Sequence, residues 1–218
     1  MSNEHVILLH GLGLSAISMR LMEKALQKAG FVTHNINYPS TSDTIENLAK
    51  NAIPPVVEEC KRADAAAIHF VTHSMGGILV RYYLEHVSHP ECLGRVVMIA
   101  PPNHGSKLVD FLRGKPVLRQ TFDFFLGHAG GELGTSQEST PNKLGSANFT
   151  LGIIAGRYDC KVKMESARLE GMTDLIVLPY THTLIIVRSK TFHQTIFFLQ
   201  NGTFDIPCNA SKLIFGSY

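Results

Sequence analysis

Six runs of apolar residues, each closed by glycine, proline or a polar turn, set the rhythm of the chain. The first, His5-Val6-Ile7-Leu8-Leu9, is apolar without alternation, the pattern of a strand covered on both faces. Phe31 to Tyr38, Ala66 to Thr72, Arg95 to Ala100 and Thr150 to Gly156 repeat it, and another run opens at Asp174 and reaches Thr183. Helical spacing fills the intervals. Ile17 to Ala29 carries it until Gly30, with Ser15 placed to cap. Asp43-Thr44-Ile45-Glu46 resembles a helix start, and the helix runs towards Arg62 with a break or kink at Pro54-Pro55. Further helices are predicted from Met75 to about His86 and from Ser189 to Gln200. Strand and helix alternate throughout, which predicts an α/β fold. The expected architecture is an open, mostly parallel sheet of about six strands with helices on both faces, in one domain spanning residues 1–218.

The alternation fails between residues 103 and 148. Apolar patches at Leu108 to Leu112 and Val117 to Leu126 flank Gly114-Lys115-Pro116, and a Gly/Ser/Thr-rich loop, Gly127 to Gly145, follows. Placed after the fourth strand, this stretch is expected to be a cap-like insert over a site; a plain surface excursion is the alternative.

Composition narrows the function classes. Charged residues make up 17% of the chain against 44% hydrophobic, and the net charge of +2 leaves no electrostatic footprint for nucleic acid. No apolar run reaches the length of a membrane span. The chain enters a strand at His5 without the basic and apolar regions of a signal peptide, so a cytoplasmic location is expected. Cys60, Cys92, Cys160 and Cys208 are scattered, which reads as free thiols. The 11 histidines include no H-E-x-x-H or comparable ligand spacing, so no metal is expected.

The chemistry gathers around Phe70-Val71-Thr72-His73-Ser74-Met75-Gly76-Gly77, a strand, a tight turn and a helix with one serine at the apex. That arrangement is a nucleophile elbow: a cramped turn pushes the hydroxyl out of the sheet edge, with a helix N-terminus behind it. Thr72 stands where the G-x-S-x-G pattern has its first glycine. In a parallel sheet the functional crevice lies at the carboxyl ends of the strands. The His10-Gly11-Leu12-Gly13 loop, Ser74, Asp159 and His182 all fall there, and Ser–Asp–His is the chain order of an α/β-hydrolase triad. Ser74 is then the nucleophile, His182 the general base and acid, and Asp159 the group that orients the ring. The backbone N–H groups of Leu12 and Met75 are the candidate oxyanion donors. Asp174 and Glu165 are the alternative acids, although Asp174 begins its strand; His193 is the alternative base, inside a helix; His73 reads as packing or rim. Candidates for the substrate pocket are His10, His104, Phe122 and Phe125, but His104 could order its own loop and the phenylalanines could be core.

Taken together these motifs resemble the lipase-like serine esterases of the α/β-hydrolase superfamily, over roughly residues 5 to 202. His10-Gly11-Leu12-Gly13 is similar to their oxyanion loop, Thr72 to Gly77 to their elbow, and Ala100-Pro101-Pro102-Asn103-His104-Gly105-Ser106 to the loop after the fourth strand in small bacterial members. Asp159 and His182 fall where those members carry the acid and the base. The resemblance implies cofactor-free hydrolysis of a small-molecule or lipid acyl ester. An acyltransferase or thioesterase on the same triad, or a binding protein on the same scaffold, is the alternative. Gly11-Leu12-Gly13-Leu14-Ser15-Ala16 also spells a dinucleotide fingerprint, but the next strand ends Asn35-Ile36-Asn37-Tyr38-Pro39 without the carboxylate that would hold a ribose.

Overall fold

The computed structural model describes residues 3–113 and 127–205. Six parallel strands form one sheet in the order β2-β1-β3-β4-β5-β6: β1 (Glu4–Leu9), β2 (Val32–Ile36), β3 (Ala67–His73), β4 (Leu93–Ile99), β5 (Leu151–Gly156) and β6 (Asp174–Leu178). The helices include α1 (Arg20–Lys28), α2 (Ile45–Ala52), α3 (Pro54–Arg62), α4 (Met75–His86), α5 (Lys107–Arg113) and α6 (Ser189–Asn201), with one-turn helices at Thr140–Lys143 and Met164–Ala167.

The unbroken apolar runs divide by parity between two cores, as side chains alternate across a sheet. Ile7 and Leu9 of β1 join Phe70, Met98 and Ile153 beneath α2, α3 and α4. Val6 and Leu8 join Val71, Val97 and Ile154 on the opposite face, with Met22 and Leu26 of α1 and Phe198 and Leu199 of α6. Helix α4 is buried from Met75 through Arg81, the packing expected of a helix apolar on all sides.

Boundaries shift where local chemistry overrides the pattern. The segment towards Arg62 is two helices, not one: α2 ends at Ala52, and Pro54 takes the first position of α3, where its missing N–H costs nothing. Thr44 caps α2 through Asn47 N–H (3.2 Å), whereas Ser15 makes no side-chain cap and the chain enters α1 through a 3-10 turn, Ala16–Met19. Strand β6 stops at Leu178 because Pro179 has no N–H for the ladder. Strand β2 stops at Ile36, leaving Tyr38 free to turn onto His10.

Candidate active site

Strand β3 delivers Ser74 at φ 51°, ψ −122°, a conformation that a residue with a Cβ adopts only under constraint. Ser74 N–H donates to Ile99 C=O (2.9 Å), tying the turn to the end of β4, and Ser74 C=O accepts from Gly77 N–H (3.0 Å) as α4 begins. Gly76 is required by close approach: a Cβ there would stand 2.7 Å from the Leu9 carbonyl oxygen and 2.8 Å from that of His10. Thr72, in the place of the usual glycine, fits because its neighbour across the turn is also a glycine; a Cβ on Gly77 would lie 3.3 Å from Thr72 Oγ1.

Three distant segments meet at this turn. Ser74 Oγ lies 3.0 Å from His182 Nε2, and His182 Nδ1–H donates to Asp159 Oδ2 at 2.6 Å. A carboxylate can only accept, so the bond to Asp159 assigns the proton to Nδ1 and leaves Nε2 as the acceptor for the serine hydroxyl. The other Asp159 oxygen accepts from Lys161 N–H and Val162 N–H, both at 2.8 Å, which locks the carboxylate in the turn after β5. Asp159 and His182 are buried and Ser74 is half-buried, so the hydroxyl is the accessible end of the relay.

His73 lies behind it. The ring is buried, stands 4.9 Å from the His182 ring between centroids, and donates Nε2–H to the His182 carbonyl (3.1 Å). Burial, reinforced by the adjacent His182, pushes it down to about 3, so it stays neutral. It braces the backbone of the residue its neighbour Ser74 touches, a role beyond the packing or rim position expected from sequence.

The loop after β1 abuts the serine: a Cβ on Gly11 would stand 3.2 Å from Ser74 Cβ. Leu12 follows directly, and Met75, first residue of α4, has an N–H with no acceptor inside its helix. His10 departs from the pocket-lining role expected of it. It is fully buried, donating Nδ1–H to Gly11 C=O (2.8 Å) and accepting from Tyr38 N–H (3.4 Å), while its ring stacks on Tyr38 at 4.1 Å. Tyr38 O–H in turn donates to His10 C=O. These bonds shape the loop and leave the ring no surface for a ligand. His104 is exposed, with Nδ1 3.3 Å from Asn142 Oδ1, and its N–H donates to Ser166 C=O, so it orders its loop. Phe122 and Phe125 lie outside the described residues. Asp174 sits at the opposite end of the sheet, accepting from Leu175 and Phe204 N–H, and Glu165 and His193 are exposed on their helices.

The palmitoyl protein thioesterase family model matches residues 5–140. The chain belongs to that family. The match takes in the Ser74 turn and stops short of Asp159 and His182, which join the site through the fold. No curated protein sequence is significantly similar to this family member. Solved structures share its fold: a Bacillus licheniformis lipase in mature form (TM-score 0.71, 19% identity, 92% of each chain) and a Pyrococcus furiosus esterase (TM-score 0.63, 19% identity, 91% of this chain and 83% of that one). An Aspergillus fumigatus lipase B is similar at TM-score 0.71 and 16% identity, over 91% of this chain and 52% of its own. This thioesterase-family chain is therefore a lipase-like α/β-hydrolase, a hydrolase of the lipase, esterase and thioesterase kind. No helix among its described residues is long and apolar enough to cross a membrane.

Sequence reasoning passed over Arg81. Its guanidinium, 3% exposed, donates through Nη1 to Asn103 C=O and Oδ1 (both 3.2 Å) and through Nη2 to Leu144 C=O (2.9 Å) and Gly145 C=O (3.1 Å). Asn103 Nδ2 donates onward to Ala167 C=O (2.8 Å). One buried cation on α4 thus holds both ends of the 103–148 segment. Burial lowers it to about 10, with Glu85 opposing the shift. The signal was present in sequence: a lone arginine inside Ile78-Leu79-Val80-Arg81-Tyr82-Tyr83-Leu84.

Proposed function

We propose that the chain is a serine hydrolase that cleaves acyl esters and thioesters through an acyl-enzyme on Ser74. The observation that carries this reading is the continuous relay of Ser74 Oγ, His182 and Asp159, with contacts of 3.0 and 2.6 Å, ending at the accessible hydroxyl. Ser74 Oγ attacks the acyl carbonyl as His182 Nε2 takes its proton, and Asp159 stabilises the imidazolium. The carbonyl oxygen becomes an oxyanion, held by the N–H groups of Leu12 and Met75 at the positive end of α4. His182 returns the proton to the departing alcohol or thiol. Water, deprotonated by the same ring, then releases the acid and restores the serine.

The 103–148 segment serves as a cap in this reading. Arg81 holds its ends, Ser106 Oγ donates to Lys161 C=O (2.6 Å) in the loop that carries Asp159, and Ile45 N–H donates to Glu132 Oε1 (3.4 Å) just beyond the loop after β2. Both loops leave carboxyl ends of strands, where the relay sits. A second reading, preference for a thiol leaving group over an alcohol, is favoured by the family match.

A fluorophosphonate probe should label the wild-type chain on Ser74 and leave Ser74→Ala unlabelled. Rates across p-nitrophenyl esters from acetate to palmitate, compared with palmitoyl-CoA, then assign acyl length and leaving group. No labelling at saturating probe, together with no turnover of any of these substrates, would make the fold a binding scaffold.

A further inference from the structure

The geometry points to a transition-metal site, formed by His5, His34 and Cys60, at the far end of the sheet from Ser74. The ligand atoms of these three residues all lie within 4.8 Å of one another. The register pairs Ile7 with His34 and His5 with Val32, so the two histidines are diagonal neighbours on one face, and α3 lays Cys60 over them.

The hydrogen bonds decide which nitrogens are free. Asn3 Nδ2 donates to Ala63 C=O (2.8 Å) and Asp64 C=O (2.9 Å), which turns its Oδ1 towards His5 Nε2 at 3.0 Å. An amide oxygen only accepts, so His5 carries its proton on Nε2, and Nδ1 is a lone pair aimed at His34 Nε2, 2.9 Å away. A metal ion seated between His5 Nδ1 and His34 Nε2 would take both lone pairs, with the Glu59 carboxylate 3.9 Å from the outer nitrogen, Nδ1, of His34. The His34 proton then resides on Nδ1 and faces Glu59, and both imidazoles gain the oxygen partner on the outer nitrogen that metal-bound histidines use.

Two imidazoles and a thiolate suit Zn²⁺ and its borderline-soft relatives, and they do not suit Ca²⁺ or Mg²⁺. Tetrahedral zinc at ordinary bond lengths separates such donors by about 3.4–3.6 Å, between the 2.9 Å of the two ring nitrogens and the 4.8 Å that bounds the set. The thiolate is the form of Cys60 that ligates, so binding displaces the thiol proton. His34 and Glu59 reach solvent, which gives the ion a path in and the fourth position to water. The ion would clasp edge strand β2 and α3 to β1.

Co²⁺ added to the chelator-stripped full-length protein tests this directly. One equivalent should produce a thiolate-to-cobalt charge-transfer band that Zn²⁺ displaces. Zn²⁺ at about a hundredfold excess over Kd should raise the Tm by roughly 5–10 °C. Cys60→Ala should abolish the band, and His34→Gln, on a half-buried strand position, should abolish the Tm rise while fluorophosphonate labelling persists. Absence of the band, its survival in Cys60→Ala, or an undiminished Zn²⁺-dependent Tm rise in His34→Gln would overturn the assignment.

Discussion

Replacing His73 with glutamine asks whether the ring behind the active-site loop is held neutral by the fold. Burial pushes it down to about 3, against about 6.5 for an exposed histidine. The folded value lies below the unfolded one, so on acidification the unfolded chain takes up a proton the native state refuses. The associated stability is complete above pH about 6.5 and drains away between there and pH about 3. The slope is about 1.4 kcal/mol per pH unit, which integrates to about 2.5 kcal/mol between pH 7 and pH 4.5. That is a large share of the ~5–15 kcal/mol that holds a domain together.

Urea unfolding at a series of pH values, run on the wild type and His73→Gln, measures this term. Glutamine keeps an amide donor for the His182 carbonyl and cannot titrate. His5, His10 and His69, all lowered chiefly by burial, remain in both proteins and cancel from the comparison. The wild type should lose about 2.5 kcal/mol more than the variant between pH 7 and 4.5. Parallel curves would show that His73 accepts a proton in place, and the argument from its burial would fail.

Three other substitutions probe separate links. Asp159→Asn should lower kcat by about 10⁴ while Asp174→Asn leaves it nearly unchanged; the reverse pattern in steady-state ester hydrolysis would reassign the orienting acid. Gly76→Ala puts a methyl 2.7 Å from the Leu9 carbonyl oxygen and should destabilise the chain by about 1–3 kcal/mol, with slower fluorophosphonate labelling as α4 backs away. An unchanged Tm would mean that α4 and β1 are not in contact at this point. Arg81→Lys keeps the charge but loses the fork that spans Asn103 and Leu144; it should cost roughly 1–3 kcal/mol in urea unfolding and accelerate proteolysis within 103–148.

Signals carried by neighbouring residues were legible in the sequence. The doubly covered strands show as unbroken apolar runs, and the elbow shows as serine between a strand and Gly76-Gly77. Asp159 and His182 were locatable because each follows a strand, and a parallel sheet brings those ends to one edge. The roles proposed for Leu12 and Met75 rest on the same logic, since backbone donors need only a place in the chain. Details of Ser15, Tyr38 and the β6 terminus were lost because a single hydrogen bond or proline decides each, against a pattern that only averages.

The less legible features are those in which one polar group answers to partners far along the chain. Arg81 stands out as a charge in an apolar helix, yet its acceptors are backbone carbonyls at 103, 144 and 145, and any residues there would supply them. His73 looks like its neighbours in β3 until the loop of His182 closes over it. The same holds for His5, His34 and Cys60, which sit on three different elements with no motif spacing between them. Metal motifs are recognisable when one loop or helix supplies several ligands, because the backbone then sets the interval. A site built across a strand pair and the helix above it has its interval set by the fold, so it becomes visible only once β1, β2 and α3 are assembled. Buried polar groups are costly when unmatched, so each of these groups is placed by partners that only the assembled fold supplies.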